Sequence, residues 1–557
     1  MTTNISFHAS KGFLDCPLDI LLEIVTFLPV SDALNVLTVS RKLHTLRFTQ
    51  SFWHILIQTL RLSSVPLACP LHFDPTQDLE ELVCRTVKRH QTMLSSRPQF
   101  VRLRSHLLGH LRILEDEPIC HVSGTRLYLT YSSGDGMASC WDLLSGNVLS
   151  KVYVGKNILA KTTLSAEKGK FLICLLAADS MNEFVASSAV VLSLEYHISA
   201  GSHISDVHMD IHHHEAIDAS YPAMYPSCAM NEEGLLVIAK MATDIHLVVH
   251  NLKNGLKAIF KTGLTVRMPL VLNTNLFAHL QNTQENDVDF VDVSFDRQDL
   301  IMITSSSNSP GMYRYSKDDL PYTSDFRATK NPHRPQILPL NIYVPPDLPV
   351  FCYERCAFYA NGSHTSNGNR TQSVSRNSFA TTAYRVISYG KDTKEHYTEC
   401  RFWDFNPLDA HLTSTEPVVH KCRFPGLPLY QVACTGSESG TWGVFICDTN
   451  IVDDEAVADI FGHDFEVEVD VQYHTPPVQT LSVADAEILL VHYDPSTRTS
   501  SVHRPVLPSS LPGVTGLSAE SNWLNNIKAM EIDERLGILY IMVEDIDGNV
   551  LCTMEFL

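Results

Sequence analysis

"FLDCPLDILLEIVTFLPVSDALNVLTVSRKLHTLRFTQSFW", residues 13–53, packs apolar residues at helical spacing into a short stretch, and nothing after residue 100 repeats that pattern. Pro17 suits a first helical position, where its missing N–H would be unpaired anyway. Ile20, Leu21, Ile24 and Leu28 follow on one side of a helix. Pro29 stops that helix, because the residue before a proline avoids helical geometry. Ser31 or Asp32 can cap a second helix carrying Leu34 and Leu37, and Ser40 a third with Leu43 and Leu46. Ser51 can cap a fourth with Trp53, Leu56 and Ile57. About forty residues bury too little apolar surface to offset their chain entropy. Such a unit therefore packs on its own chain as a cap, or is covered by a partner, and periodicity leaves both readings open.

The residues at fixed positions resemble an F-box. Leu14, Pro17-Leu18-Asp19-Ile20-Leu21, Leu28-Pro29-Val30-Ser31-Asp32, Val39-Ser40-Arg41-Lys42 and Trp53 follow that family's pattern over about forty residues. One departure is local, with Cys16 where the family usually places Leu before the first Pro. The resemblance implies a non-catalytic role as the substrate-recognition subunit of an SCF-type ubiquitin ligase. The F-box would dock on a Skp-type adaptor, and through it a cullin scaffold, while the rest of the chain binds a protein substrate. By the same resemblance, Leu14, Pro17, Ile20, Leu21, Ile24, Leu28 and Pro29 form the adaptor-facing surface, and Leu34, Val39 and Trp53 pack within the domain. Recognition of apolar anchors at i, i+3 and i+4 by a groove is physically consistent with this.

Residues 75–98 read as one more helix, with Leu79, Leu82, Val83 and Val87 apolar and Lys88-Arg89-His90 towards its end, a connector to the larger C-terminal part of the chain. Beyond residue 98, short alternating apolar runs recur between Gly, Asn, Asp and Ser turns. In 126–154, strands flank turns at Gly134-Asp135-Gly136 and Ser145-Gly146-Asn147, and one strand ends in Trp141-Asp142. That order resembles a blade of a WD-type propeller. Residues 235–260 repeat the plan around Asn254-Gly255, a second Trp-Asp pair stands at Trp403-Asp404, and 537–557 close the chain as a hairpin. The expected fold is thus a small all-α F-box followed by a large all-β propeller of six to eight degenerate blades, with a pair of β-sandwiches as the alternative. The expected boundaries are a flexible 1–12, the F-box at 13–60, a helical linker at 61–97 and the propeller at 98–557. A mobile insertion is expected at 361–382, rich in Ser, Thr, Asn and Gly.

Composition narrows the function class. A net charge of -20 argues against a phosphate-backbone binding face, and the acidic stretch at 452–471 reads as solvated surface. The N-terminal "MTTNISFHASKG" lacks the basic start and apolar stretch of a targeting segment. The longest apolar run, 171–178, has the length of a buried strand, not of a membrane span. The fourteen cysteines never occur as Cys-x-x-Cys and read as free thiols in a reducing compartment, cytoplasm or nucleus. The glycosylation sequons at Asn361 and Asn369 are then expected to stand idle. No phosphate-binding loop, His-Glu-x-x-His or Gly-x-Ser-x-Gly motif occurs, and "GSESG" (436–440) has Glu438 at its centre. In "HMDIHHHEA" (208–216), His208, Asp210, His212 and His214 would share one face of a strand, but structural metal sites draw ligands from more than one element. No metal and no cofactor are expected. Two other readings compete with the ligase subunit: a propeller scaffold that the helices merely cap, and a propeller enzyme with dispersed residues.

Overall fold

The computed structural model describes residues 16–62, 65, 67, 79–94, 101–107, 116–165, 169–178, 186–199, 203–217, 224–231, 234–241, 244–266, 287–288, 290–296, 299–305, 311–316, 336–338, 351–359, 379–389, 394–404, 418–425, 427–428, 434–436, 441–448, 486–494, 497–505, 523–545 and 548–556. Leu14, the acidic stretch 452–471 and residues 361–378 of the expected insertion lie outside them. Residues 379–382 begin the strand Phe379–Tyr389 instead of ending a loop.

Five helices come first. Helix α1 (Leu18–Thr26) starts directly after Pro17, and α2 (Val30–Val39) directly after Pro29. Ser31 and Asp32 therefore sit in the first turn of α2, not before it. Ser40 caps α3 (Arg41–His44), its hydroxyl accepting from Leu43 N–H at 3.2 Å. A 3-10 turn, Thr45–Phe48, leads into α4 (Gln50–Leu62), and α5 (Leu79–Leu94) follows. One core joins them: Leu21 and Val25 of α1, Val30, Ala33 and Leu37 of α2, Leu43, Leu46, then Phe52, Trp53, Leu56 and Leu60 of α4, with Leu82 and Val83 of α5. Among the described residues this core contains no strand residue. The helical unit thus has an interior of its own, closed by the first half of α5.

The strands build a β-propeller-like arrangement. Among the described residues, the sheets are mostly hairpin-linked antiparallel strands in chain order, the closing sheet excepted; five are four-stranded and two carry a fifth strand, which in the third sheet pairs in parallel. The first sheet holds Asp116–His121, Leu127–Ser132, Met137–Asp142 and Asn147–Tyr153. The second holds Asn157–Ser165, Lys170–Ala178, Ser188–Ser199 and His203–Ala216. Later sheets repeat the scheme up to Ala486–Asp494 and Thr499–His503. The closing sheet takes Ile527–Asp533, Ile538–Asp545 and Gly548–Phe556, and its outer strand is Val101–Leu107 from the other end of the propeller. Pairing of Val101 with Phe556 through Leu107 with Val550 shuts the ring with backbone hydrogen bonds and covers the edge of the last strand.

The first strands of most successive sheets adjoin one another towards the centre. Side chains fill the spaces between sheets. Leu129, Ile173 and Leu192 join the first to the second sheet, and Cys174, Val191 and Ile238 join the second to the third. Because the second sheet is covered on both faces, its strand Lys170–Ala178 is buried throughout after Lys170, which accounts for the continuous apolar run. Turns are set by residue chemistry: Gly136 has φ +71°, and a Cβ there would meet the Gly155 carbonyl oxygen at 2.5 Å. Buried cysteines follow the same logic, as free thiols; burial raises Cys140 and Cys552 to about 12.

Candidate functional site

Helix α1 carries both buried and exposed apolar residues. Leu21 and Val25, four residues apart, enter the helical core at 4% and 2% exposure, whereas Leu18 and Ile20 stand 49% and 42% exposed. Phe27 (81%), Val39 (72%) and Phe48 (79%) are also exposed on the same helical unit. These five make up more than half of the nine exposed large hydrophobics among the described residues, within a stretch of thirty-one. Single exposed apolar side chains need no explanation, but such a concentration on one small unit makes it the candidate for an interaction surface.

The expected adaptor-facing residues divide accordingly. Pro17, Ile20 and Pro29 are exposed, and Ile24 and Leu28 half-buried. Leu21 is not on the surface: one helical step of about 100° from Ile20 turns it into the core. Among the residues expected to pack inside, Trp53 does so, its indole N–H donating to the Arg47 carbonyl at 2.7 Å. Leu34 is half-buried against the core. Val39 is a correction in the other direction. It ends α2 away from the Val30, Ala33, Leu37 side and faces solvent. Arg47 Nε donates to Glu80 at 2.6 Å, tying the 3-10 turn to α5.

Helix α5 carries this unit onto the propeller. Arg89 Nη1 donates to the Arg535 carbonyl, its side chain lying over Gly537. Met93 enters the core shared by Trp442, Ile488, Ile541 and Met554. The His90 ring meets the His492 ring edge-on at 5.4 Å. Sequence reasoning treated Lys88-Arg89-His90 only as cations at a helix end; no local pattern reveals partners some 400 residues away.

The Trp-Asp pairs occupy equivalent places in their sheets. Both end the third strand of their sheets, Met137–Asp142 and Lys394–Asp404. Trp141 is buried and donates to Thr130 Oγ1 at 2.8 Å, while Asp142 accepts from Leu144 N–H at 3.1 Å and Ser145 Oγ at 2.7 Å, holding the turn. The side chains of Trp403 and Asp404 lie outside the described set.

The histidine-rich stretch forms an outer strand, His203–Ala216. A bulge leaves His212 without a cross-strand partner, so the alternation expected of His208, Asp210, His212 and His214 breaks there. His208 Nε2 pairs with Asp210 at 2.6 Å, and Glu215 pairs with His250 Nδ1 at 2.9 Å and with Lys257. Among the described residues, no group of three or more His, Cys, Asp or Glu is placed to hold a metal ion.

A buried ionic group, unforeseen in the sequence, crosses the ring closure. Glu531 accepts from the backbone N–H of His121 at 2.7 Å, lies 3.0 Å from its Nδ1, and faces Lys161 Nζ at 3.5 Å. Asp533 accepts from Gly124 N–H at 2.8 Å and from Arg535 N–H at 2.8 Å. Burial alone would raise the Glu531 pKa; Lys161 and His121 outweigh it and hold the carboxyl below its usual range. The first, second and closing sheets are tied by this group.

Residues 13–54 match the F-box domain family. No curated protein matches the chain. Among solved structures, an oligogalacturonate lyase from Vibrio parahaemolyticus aligns over 82% of this chain and 97% of its own, at 9% identity and TM-score 0.35. An oligogalacturonate lyase in complex with manganese aligns over 83% and 98%, at 11% identity and TM-score 0.36. A hydrazine synthase from Kuenenia stuttgartiensis aligns over 78% and 93%, at 8% identity and TM-score 0.34. Likenesses this distant carry no conclusion about activity. Among the described residues, no helix is long and apolar enough to cross a membrane.

Proposed function

We propose that this chain is the substrate-recognition subunit of an SCF-type ubiquitin ligase. Its F-box docks on a Skp-type adaptor, and through it a cullin scaffold, while the propeller binds a protein substrate inside the cell. The observation that carries the reading is the F-box match at residues 13–54, on a helical unit that holds Leu18, Ile20 and Phe27 in solvent. F-box domains generally bind adaptors of that type, and propellers commonly display binding surfaces on their loops. The chain then serves as a tether, bringing substrate to the ligase without chemistry of its own.

The competing reading, a helical cap on a propeller scaffold, requires the apolar face of α1 to be spent against the sheets. The separate helical core and the exposure of Leu18 and Ile20 favour the partner-docking reading instead. Affinity capture of the full chain, and of a chain lacking residues 13–54, tests it. The full chain should retain a Skp-type adaptor and a cullin, and the shortened chain neither. Capture of the propeller without adaptor in both cases would refute the reading.

A further inference from the structure

The seam between α5 and the propeller is lined by histidines that no adaptor or substrate role requires. His90 of α5 is half-buried, with its ring 5.4 Å from the nearly buried His492 of Ala486–Asp494. Trp442 packs against His492 at 4.3 Å and against His503 at 6.1 Å. His503 Nε2 lies 2.8 Å from Ser501 Oγ, and its Nδ1 has no hydrogen-bond partner among the described residues. The other charged groups bearing on His90 are Arg89 on its own helix and Asp494 at the end of the His492 strand. Glu534 is buried in the turn whose Arg535 carbonyl Arg89 grips. Three imidazoles and a guanidinium thus share this contact with one aspartate at the rings. A proton on His90 places a second cation beside Arg89 in a poorly hydrated space.

We propose that the α5–propeller contact is a proton-sensitive latch: it holds with the His90, His492 and His503 rings neutral, and protonation of His90 and His492 releases α5 while the ring of sheets stays folded. The direction of titration agrees. Burial, and then Arg89, lowers His90 to about 4, with Asp494 offsetting only part of the shift; burial chiefly takes His492 to about 3. A released His90 regains a solvated imidazole's affinity for protons, near pH 6.5. Release therefore becomes easier as pH falls below that value, and continues to do so until the docked rings themselves take up protons. The F-box unit would turn on its connector in acid and sit at a fixed angle at neutral pH.

Hydrogen exchange of the full chain, followed by mass spectrometry and corrected for the intrinsic pH dependence of exchange, reads the opening of residues 79–94. Between pH 7.5 and 5.0 the opening equilibrium should rise about 30-fold if His90 alone is freed, and further if His492 also gains water. His90→Phe keeps an aromatic edge at the contact and should cut the response about 30-fold relative to wild type, leaving only the part that His492 contributes. Should that variant already be open at pH 7.5, His492→Phe carries the same comparison from the other side. A wild-type chain whose α5 protection is unchanged between the two pH values overturns the proposal whatever the variants do. So does a variant whose response equals that of wild type.

Discussion

Neighbouring residues of α1 should respond oppositely to truncation. Leu21 is 4% exposed inside the helical core, so Leu21→Ala removes buried methyls and leaves a cavity, at about 2–5 kcal/mol. A unit of this size has little more stability than that, and the loss is comparable to the whole margin. Leu18 and Ile20 keep about half of their surface in water, so truncating each should cost folding only about 1 kcal/mol. In the proposed adaptor complex the order should reverse. Two apolar anchors losing about 2 kcal/mol each amount to roughly a thousandfold in affinity if the effects add. Far-ultraviolet circular dichroism at helical wavelengths suits the stability assay, because the helices dominate that signal over the sheets. Titration calorimetry with a purified Skp-type adaptor, at a temperature where all variants remain folded, gives the affinities. Leu18→Ala/Ile20→Ala should lower the helical transition by roughly 10 °C without abolishing it, and should abolish measurable binding. A double variant that binds within tenfold of wild type, or that unfolds as readily as Leu21→Ala, refutes the division of α1 into core and docking residues.

Two further changes probe the ring and its seam. Glu531→Gln removes the carboxylate between His121 and Lys161, and should cost the propeller about 1–3 kcal/mol, reduced from a fully buried pair because Lys161 is 41% exposed. The Glu531 pKa is depressed on folding, so wild type should hold this advantage above pH 4.5 and lose it as pH falls through the folded value, the urea midpoints of the two chains converging in acid. Gly537→Ala places a methyl 2.7 Å from Arg89 Cγ and Cδ at a residue with φ +65°, so backbone strain of about 1 kcal/mol adds to displacement of Arg89. Exchange should quicken in 79–94 and not in the second sheet; unchanged protection of α5 would show that Arg89 does not hold the seam.

Much of the helical unit was legible because its features are local. Pro17 marks the start of α1, Pro29 separates α1 from α2, Ser40 caps α3, and apolar spacing traces α4. Which apolar face turns inward was not legible. Ile20, Leu21 and Ile24 stand on adjacent sides of one helix, and periodicity identifies an apolar arc, not its centre. Val39 was misread for a similar reason, since a residue at a helix end can match a family position and still point away from the core. Among the strands, the glycine turns at 134–136, 146 and 255 gave the hairpins away through the positive φ they require at Gly136, Gly146 and Gly255. The pairing of the chain's last strand with residues 101–107 had no such marker, because register between distant segments is decided by what the whole ring must close.

The contacts that join the two parts share that property. Arg89 reaches Arg535, His90 reaches His492 and Met93 reaches Met554, each across about 400 residues of chain. None is foreseeable locally, because an arginine, a histidine and a methionine near a helix end have ordinary local explanations in the dipole and in apolar spacing. They meet only because the closing sheet brings the last strand back beside the first, with the strand Ala486–Asp494 next to it. The same sheet carries Glu531 on its inner strand and Gly537 in its hairpin turn. A change that loosens the ring closure therefore acts on the base of α5 as well. Weakening at Glu531 should be felt in the protection of α5, although the two lie on different strands of the sheet, whereas weakening in the third sheet should not. Coupling through the closing sheet makes the placement of the helical unit depend on the integrity of the ring.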